Sequence, residues 1–269
     1  MALTDFQREV CRLLAHHRAA RHGYVAGGAA LNTLLGGARL SDDVNVFHDT
    51  ETAVAASWKI DRTLLDQNGF TISLLRQFPT FIEAEIARDA EALVMQWAYD
   101  SAFRFFPLQE HPDLGYTLHP MDAATNKVLA FVGRVEPRDW IDAMTCSDQL
   151  QHLGFLCWAA CGKDPGYSPL FLLDEAARSA RFSMPEFQKL AFDGAPPDPH
   201  ELGTKWRAIL LQARAIAEIL PPEEIGKVVL KHDGELFRGE AVQLQDAVHN
   251  GALKFHAGAI GGVWPQIKS

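Results

Sequence analysis

Between residues 23 and 47 the chain sets three elements in close succession. Tyr24-Val25-Ala26 reads as a short apolar strand, and Gly27-Gly28 follows at once. The stretch AALNTLL has a helical pattern and stops at a second pair, Gly36-Gly37, before Asp43-Val44-Asn45-Val46-Phe47 alternates polar with apolar. Alternation with a period of two marks a strand with one face in a core and one face open. Strand, glycine pair, helix and strand in this order call for an α/β arrangement. Two glycines between a strand and a helix N-terminus let backbone N–H groups approach a phosphate closely. They also suit a tight strand-to-helix turn, and the pair alone leaves both readings open.

The flanking chain extends this pattern. Residues 4 to 22 read as an amphipathic helix with Phe6, Val10, Leu13 and Leu14 on its apolar stripe. Residues 50 to 67 look helical, Phe70 to Leu75 suits a strand, and TFIEAEI and ALVMQWAY suit two more with ARDAE turning between them. Pro107, Pro112 and Gly115 mark a loop; Met121 to Arg134 is helical, and Pro137 opens another helix. After residue 146 helical patterns dominate, over 148–161, 171–181, 184–192 and 200–220, punctuated by GAPPDPH and Pro221-Pro222. The expected organisation is an α/β part over 1–145 and a mostly helical part over 146–269.

Composition narrows the function classes. Of 269 residues 48% are hydrophobic and 22% charged, which is enough apolar material for a real core and excludes a disordered chain. Lys plus Arg is 25 against 34 for Asp plus Glu, a net charge of −9, which excludes a general DNA coater but leaves room for one local basic site. Cys11, Cys146, Cys157 and Cys161 form no CxxC pair and are expected as reduced, buried thiols. His16, His17 and His22 read as a solvated face rather than a metal cluster, and His111 and His119 flank a proline loop without ligand spacing. There is no apolar run of the roughly 18 residues that span a membrane and no signal-peptide core near the N-terminus, so a cytoplasmic protein is expected.

Two segments carry residues suited to chemistry. Asp43 and Asn45 are two apart on a strand, so both leave one face, and paired oxygen side chains there suit a hard divalent cation. Asp42 falls on the other face. In NKVLAFVGRVEPRDWID, Lys127 and Arg134 are seven apart on one helical face, and Arg138, Asp139 and Asp142 open the next helix. This charge cluster reads equally as a salt-bridge network fixing the corner and as a functional constellation. Asp139 and Asp142 also complement the positive end of their helix.

Together the two segments resemble the nucleotidyltransferase-like toxins of the AbiEii/AbiGii type, within the polymerase-β-like nucleotidyltransferase superfamily. That family shows a glycine-rich turn, a helix, and Arg-x-Ser-x-Asp-x-Asp on a strand; here these are Gly27-Gly28, then Arg39, Ser41, Asp43 and Asn45. Its distal motif is matched by Lys127, Ala130, Arg134, Arg138, Asp139 and Asp142. The resemblance covers residues 20 to 145. It implies a small mixed sheet flanked by helices, followed by a mostly helical C-terminal domain, and transfer of a nucleoside monophosphate from an NTP to an acceptor such as tRNA or other RNA. It also implies an antitoxin partner. Gly27, Gly28 and Ser41 would hold the triphosphate. Asp43 and Asn45 would ligate Mg²⁺ or Mn²⁺. Lys127 would neutralise phosphate charge, with Arg134 and Asp139 orienting it or the nucleotide.

The chain departs from the family at the metal. The second aspartate is Asn45, and the match puts Gln96 where a third carboxylate normally sits. Asp100, Glu83 and Glu85 lie nearby in sequence but match no family position. Two lost charges each matter by roughly a few kcal/mol in a partly buried site. ATP–Mg²⁺ binding tolerates that loss better than two-metal chemistry does. A catalytically weakened protein that binds nucleotide or a protein partner is therefore the alternative.

Overall fold

The computed structural model describes residues 3–17, 23–179 and 182–266. The chain packs as two compact units, Met1–Ala102 with Leu108–His119, and Phe103–Pro107 with Pro120–Ser269. The sequence places the boundary after residue 145; packing places it after His119, so the first two helices beyond it belong to the second unit.

The first unit runs α1 (Asp5–His17), β1 (Tyr24–Ala26), α2 (Gly27–Leu35), β2 (Asp43–His48), α3 (Glu51–Gln67), β3 (Thr71–Phe78), β4 (Phe81–Arg88) and β5 (Glu91–Tyr99). The chain then contributes β6 (Phe103–Arg104) to the second unit and returns for β7 (Gln109–His111) and β8 (Gly115–Thr117). The seven strands of the first unit form one mixed sheet in the order β3-β4-β5-β2-β1-β8-β7. β2 runs parallel to β5 and antiparallel to β1, and β4 is antiparallel to β5.

Period-two patterning builds one buried face of this sheet. Val44, Val46, Met95, Trp97, Ile82, Ala84 and Ile86 form a core with Phe6, Val10 and Leu14 of α1 and Val54, Trp58 and Leu65 of α3. Trp58 meets Trp97 edge-on at 4.8 Å, an arrangement worth about 0.5–1.5 kcal/mol beyond area burial. Trp97 Nε1 donates to the buried Asp61 carboxylate at 2.8 Å. The alternate residues, Asp43, Asn45 and Gln96 among them, leave the opposite face.

The second unit continues with α4 (Pro120–Arg134), α5 (Pro137–Gln149), α6 (Leu153–Ala160), α7 (Pro169–Ser179), α8 (Met184–Phe187) and α9 (Pro199–Ile219). It closes with β9 (Val228–Lys231), α10 (Ala241–His249), β10 (Leu253–His256) and β11 (Ala259–Ile260). β9 pairs with β10 and β6 with β11. Asp122 anchors the Phe103–Pro107 excursion: it accepts from the backbone N–H groups of Phe105 and Phe106 at 2.8 and 3.0 Å and pairs with Lys163 at 2.9 Å.

Several expectations shift. The helix expected over 148–161 is two, because α5 runs to Gln149 and α6 starts at Leu153, whose N–H bonds Ser147 Oγ at 3.1 Å. The helix expected over 184–192 is the four residues of α8, and the β9–β10 pair and α10 add to the helical half. His22 lies outside the described residues, as do the side chains of His16 and His17. All four cysteines are buried reduced thiols, and burial drives the Cys161 thiol up to about 12. Among the described residues, no helix is long and apolar enough to cross a membrane.

Candidate functional site

The glycine turn has a geometry that only glycine permits. Gly27 starts α2 at φ +74°, where an L side chain is strained, and a Cβ there would lie 2.9 Å from Asn45 Nδ2. A Cβ on Gly28 would lie 2.2 Å from Arg39 Nη2 and 3.2 Å from Ser41 Oγ. Asn32 Nδ2 donates to the Gly28 carbonyl at 3.0 Å and fixes the turn from within α2. The residue preceding the helix, Ala26, gives no side-chain cap. The first-turn N–H groups of α2 thus receive no acceptor from the N-cap side chain, the condition in which a helix N-terminus accepts an anion.

Opposite the turn, the loop into β2 presents polar groups. Arg39 is buried; its Nη1 donates to the Leu40 carbonyl at 2.9 Å, while its other nitrogen faces Gly28. Ser41 is also buried, and its carbonyl accepts from Gln7 at 2.8 Å. Its hydroxyl lies 3.4 Å from Asp43 Oδ1. The helix terminus, one guanidinium, one hydroxyl and one carboxylate therefore converge within the first unit.

A polar row crosses the sheet beside them. Asn45 on β2 is the register partner of Gln96 on β5, Gln96 that of Glu83 on β4, and Glu83 that of Arg76 on β3. Gln96 Nε2 donates to Glu83 Oε1 at 2.8 Å. Arg76 grips the same carboxylate with two bonds, Nε to Oε2 at 2.7 Å and Nη2 to Oε1 at 2.8 Å. The Arg76 bond is the main cause that holds the Glu83 carboxyl below the usual carboxylate range; burial opposes it and Gln96 assists. Glu85 stands opposite Val94, two pairs along from this row. Asp100 lies beyond the end of β5, its N–H bonded to the His48 carbonyl at 3.0 Å.

The distal motif forms a second cluster at the α4–α5 corner. Lys127 Nζ lies 2.7 Å from Asp139 Oδ1 and 3.0 Å from Asp142 Oδ2, with both carboxylates fully buried. Burial lowers the affinity of Lys127 for its proton, but Asp142 and Asp139 outweigh it and hold the ammonium above its ordinary pKa. Arg134 reaches the other Asp139 oxygen at 3.1 Å and is half exposed. Arg138 pairs with Glu136 at 2.5 Å. The ammonium expected at phosphate is thus engaged by two buried carboxylates, and the corner-fixing reading accounts for its contacts.

The oxygen donors of the first unit can be matched to a divalent ion. Among the described residues, no group of three or more His, Cys, Asp and Glu side chains could hold a metal. Asp43 is the lone carboxylate of the Asp43–Asn45–Gln96 set, and Glu83 is taken up by Arg76. That set fits one Mg²⁺ arriving with a nucleotide, since Mg²⁺ needs one or two protein oxygens when phosphates and waters supply the rest. It does not fit two ions held mainly by protein carboxylates. The sequence singled out Asp43, Asn45 and Gln96. It missed the Arg76–Glu83 fork and the closeness of Arg39 to Gly28, although Arg39 lies within the Arg-x-Ser-x-Asp spacing.

No family model and no curated protein matches the chain by sequence. Solved structures do share its fold. One is MenT4, a nucleotidyltransferase toxin of Mycobacterium tuberculosis H37Rv, with a TM-score of 0.56 and 16% identity over 81% of this chain and 83% of that one. Another is a protein from H. pylori described as a candidate nucleotidyltransferase, with a TM-score of 0.50 and 16% identity over 78% of this chain and 91% of that one. At this identity the likeness is one of fold. What the chain shares with them is a fold built on a central mixed sheet flanked by helices.

Proposed function

We propose that this protein is a nucleotidyltransferase-like toxin of the AbiEii/AbiGii type that transfers a nucleoside monophosphate from an NTP to an acceptor such as tRNA. One observation carries the reading: the uncapped start of α2 at Gly27-Gly28 lies against Arg39 and Ser41, and the Ser41 hydroxyl reaches Asp43. That is the arrangement a triphosphate needs, with backbone donors and a cation for its oxygens and a carboxylate for its Mg²⁺. The fold shared with a nucleotidyltransferase toxin supports the same reading.

In the reaction, an acceptor hydroxyl attacks the α-phosphorus and gives up its proton to water, the bond from the α-phosphorus to the bridging oxygen breaks, and that oxygen leaves with pyrophosphate. The first-turn amides of α2 and the Arg39 guanidinium stabilise phosphate charge, and the Ser41 hydroxyl adds a donor. Asp43, with Asn45 beside it, would hold Mg²⁺ or Mn²⁺, which screens the phosphates when bound. Lys127 and Asp139 hold the α4–α5 corner in shape, and Arg134 beside them is a half-exposed cation open to an RNA phosphate. A net charge of −9 confines any RNA contact to such local basic groups. An antitoxin is the protein partner of this reading, and the cytoplasm its compartment.

The Asn45–Gln96 pairing favours a second reading, a site that holds nucleotide and transfers slowly. One assay separates the two. Purified protein is mixed with each labelled NTP, Mg²⁺ or Mn²⁺, and bulk tRNA. Label transfer abolished by Asp43→Ala supports the transferase; binding without transfer supports the second reading. No binding at millimolar nucleotide contradicts both.

A further inference from the structure

Resting on the nucleotide–Mg²⁺ reading, the geometry points to Glu83 as a positioning residue that aims the Gln96 amide. A carboxylate accepts and never donates, so the amide group that meets Glu83 Oε1 at 2.8 Å is the NH₂ of Gln96. Reversing that amide would set its carbonyl oxygen against the carboxylate. Arg76 holds Glu83 with a two-bond fork and keeps it charged, so the acceptor stays in place. Glu83 itself is buried. Gln96 Oε1 is then the amide atom left for a ligand, on a strand whose register sets Gln96 directly opposite Asn45. Orientation thus supplies an oxygen donor where the family pattern has a charged one, and Glu83 touches neither nucleotide nor ion.

The same arrangement opposes simple reversion. An aspartate at position 96 would place a second carboxylate beside Glu83, at a cost to whichever is charged. The negative charge absent from β5 stands one strand outward, where Arg76 neutralises it.

A double-mutant cycle on the full-length protein tests this. Affinity for Mn²⁺–ATP is read from the water-proton relaxation of the bound ion, affinity for metal-free ATP is measured in EDTA, and thermal melting checks folding. Gln96→Ala and Glu83→Ala should each weaken Mn²⁺–ATP binding by about tenfold, as loss of a ligand's supporting partner commonly does. The Glu83→Ala/Gln96→Ala double variant should bind no worse than Gln96→Ala, and metal-free ATP affinity should not move. If Glu83→Ala fails to fold, Arg76→Ala at the exposed sheet edge replaces it, with a smaller loss that also vanishes in the Gln96→Ala background. Equal losses from Glu83→Ala in both backgrounds, or no loss from Gln96→Ala, would overturn the positioning role while leaving nucleotide binding intact. Wild-type protein that binds no Mn²⁺–ATP would overturn the nucleotide reading itself.

Discussion

Replacing Lys127 by methionine should damage folding before it damages chemistry. The ammonium sits between Asp139 and Asp142 at 2.7 and 3.0 Å, and both carboxylates have no exposed surface. Methionine preserves most of the side-chain volume and removes only the charge. Removing one partner of a buried ion pair costs about 3–5 kcal/mol, because the remaining charge keeps its desolvation penalty. Arg134 still reaches Asp139 at 3.1 Å, so Asp142 bears most of that cost. At about 2–4 °C per kcal/mol for a unit of this size, the melting temperature should fall by roughly 6–20 °C. Circular dichroism melting measures the fall. The Lys127→Met/Asp142→Asn pair should recover part of it, since the second change removes the stranded charge. The sign with pH follows from the raised folded pKa. The Lys127 contribution is complete below its ordinary value of 10.5 and is lost only as pH rises through the higher folded value, so the gap between variant and wild type should close only in strong alkali. A Lys127→Met protein that melts with wild type yet no longer binds nucleotide would refute this reasoning and return Lys127 to the phosphates.

Gly27→Ala should cost about 1–2 kcal/mol in urea unfolding, because the position holds φ +74° and the new Cβ would press on Asn45 Nδ2 at 2.9 Å. Asp122→Ala should cost about 3–5 kcal/mol by the same measurement, since it leaves the Phe105 and Phe106 N–H groups and the Lys163 ammonium without their shared acceptor. Glu83 has a lowered folded pKa, so its contribution is present above the ordinary carboxylate value of 4.5 and is lost as pH falls through the lower folded value. Wild type should therefore lose more stability than Glu83→Gln between neutral pH and acid, with a small difference because Arg76 is 59% exposed.

Elements with a strong local pattern were legible in the sequence. A sheet with one buried face writes its period into β2, β4 and β5, and Gly36 at φ +66° ends α2 where a glycine was expected to stop it. The Thr50 hydroxyl accepts from Ala53 and starts α3 at the expected place. Elements defined by distant partners were not legible. β9 is three apolar residues and a lysine whose partner, β10, lies more than twenty residues on, and nothing local distinguishes it from a buried helical turn. At the candidate site, Asp43 and Asn45 share a face by spacing alone. The Arg76–Glu83 fork depends on an antiparallel register with an irregularity between Leu74 and Arg76, which composition does not encode. The buried contacts of Lys127 could be read only as one of two options, because a charged corner has the same sequence whether its charges face each other or a ligand.

The central claim is that a triphosphate sits on the first turn of α2, across from Asp43. Amide NMR on uniformly ¹⁵N-labelled protein tests it directly, residue by residue. Adding ATP–Mg²⁺ should move the backbone signals of Gly27, Gly28 and Ala29 most, with Ser41 and Asp43 following, and Asp43→Ala should weaken the response to Mg²⁺–ATP more than to ATP alone. Signals that stay still at millimolar nucleotide, or that move only away from this turn, would contradict the account.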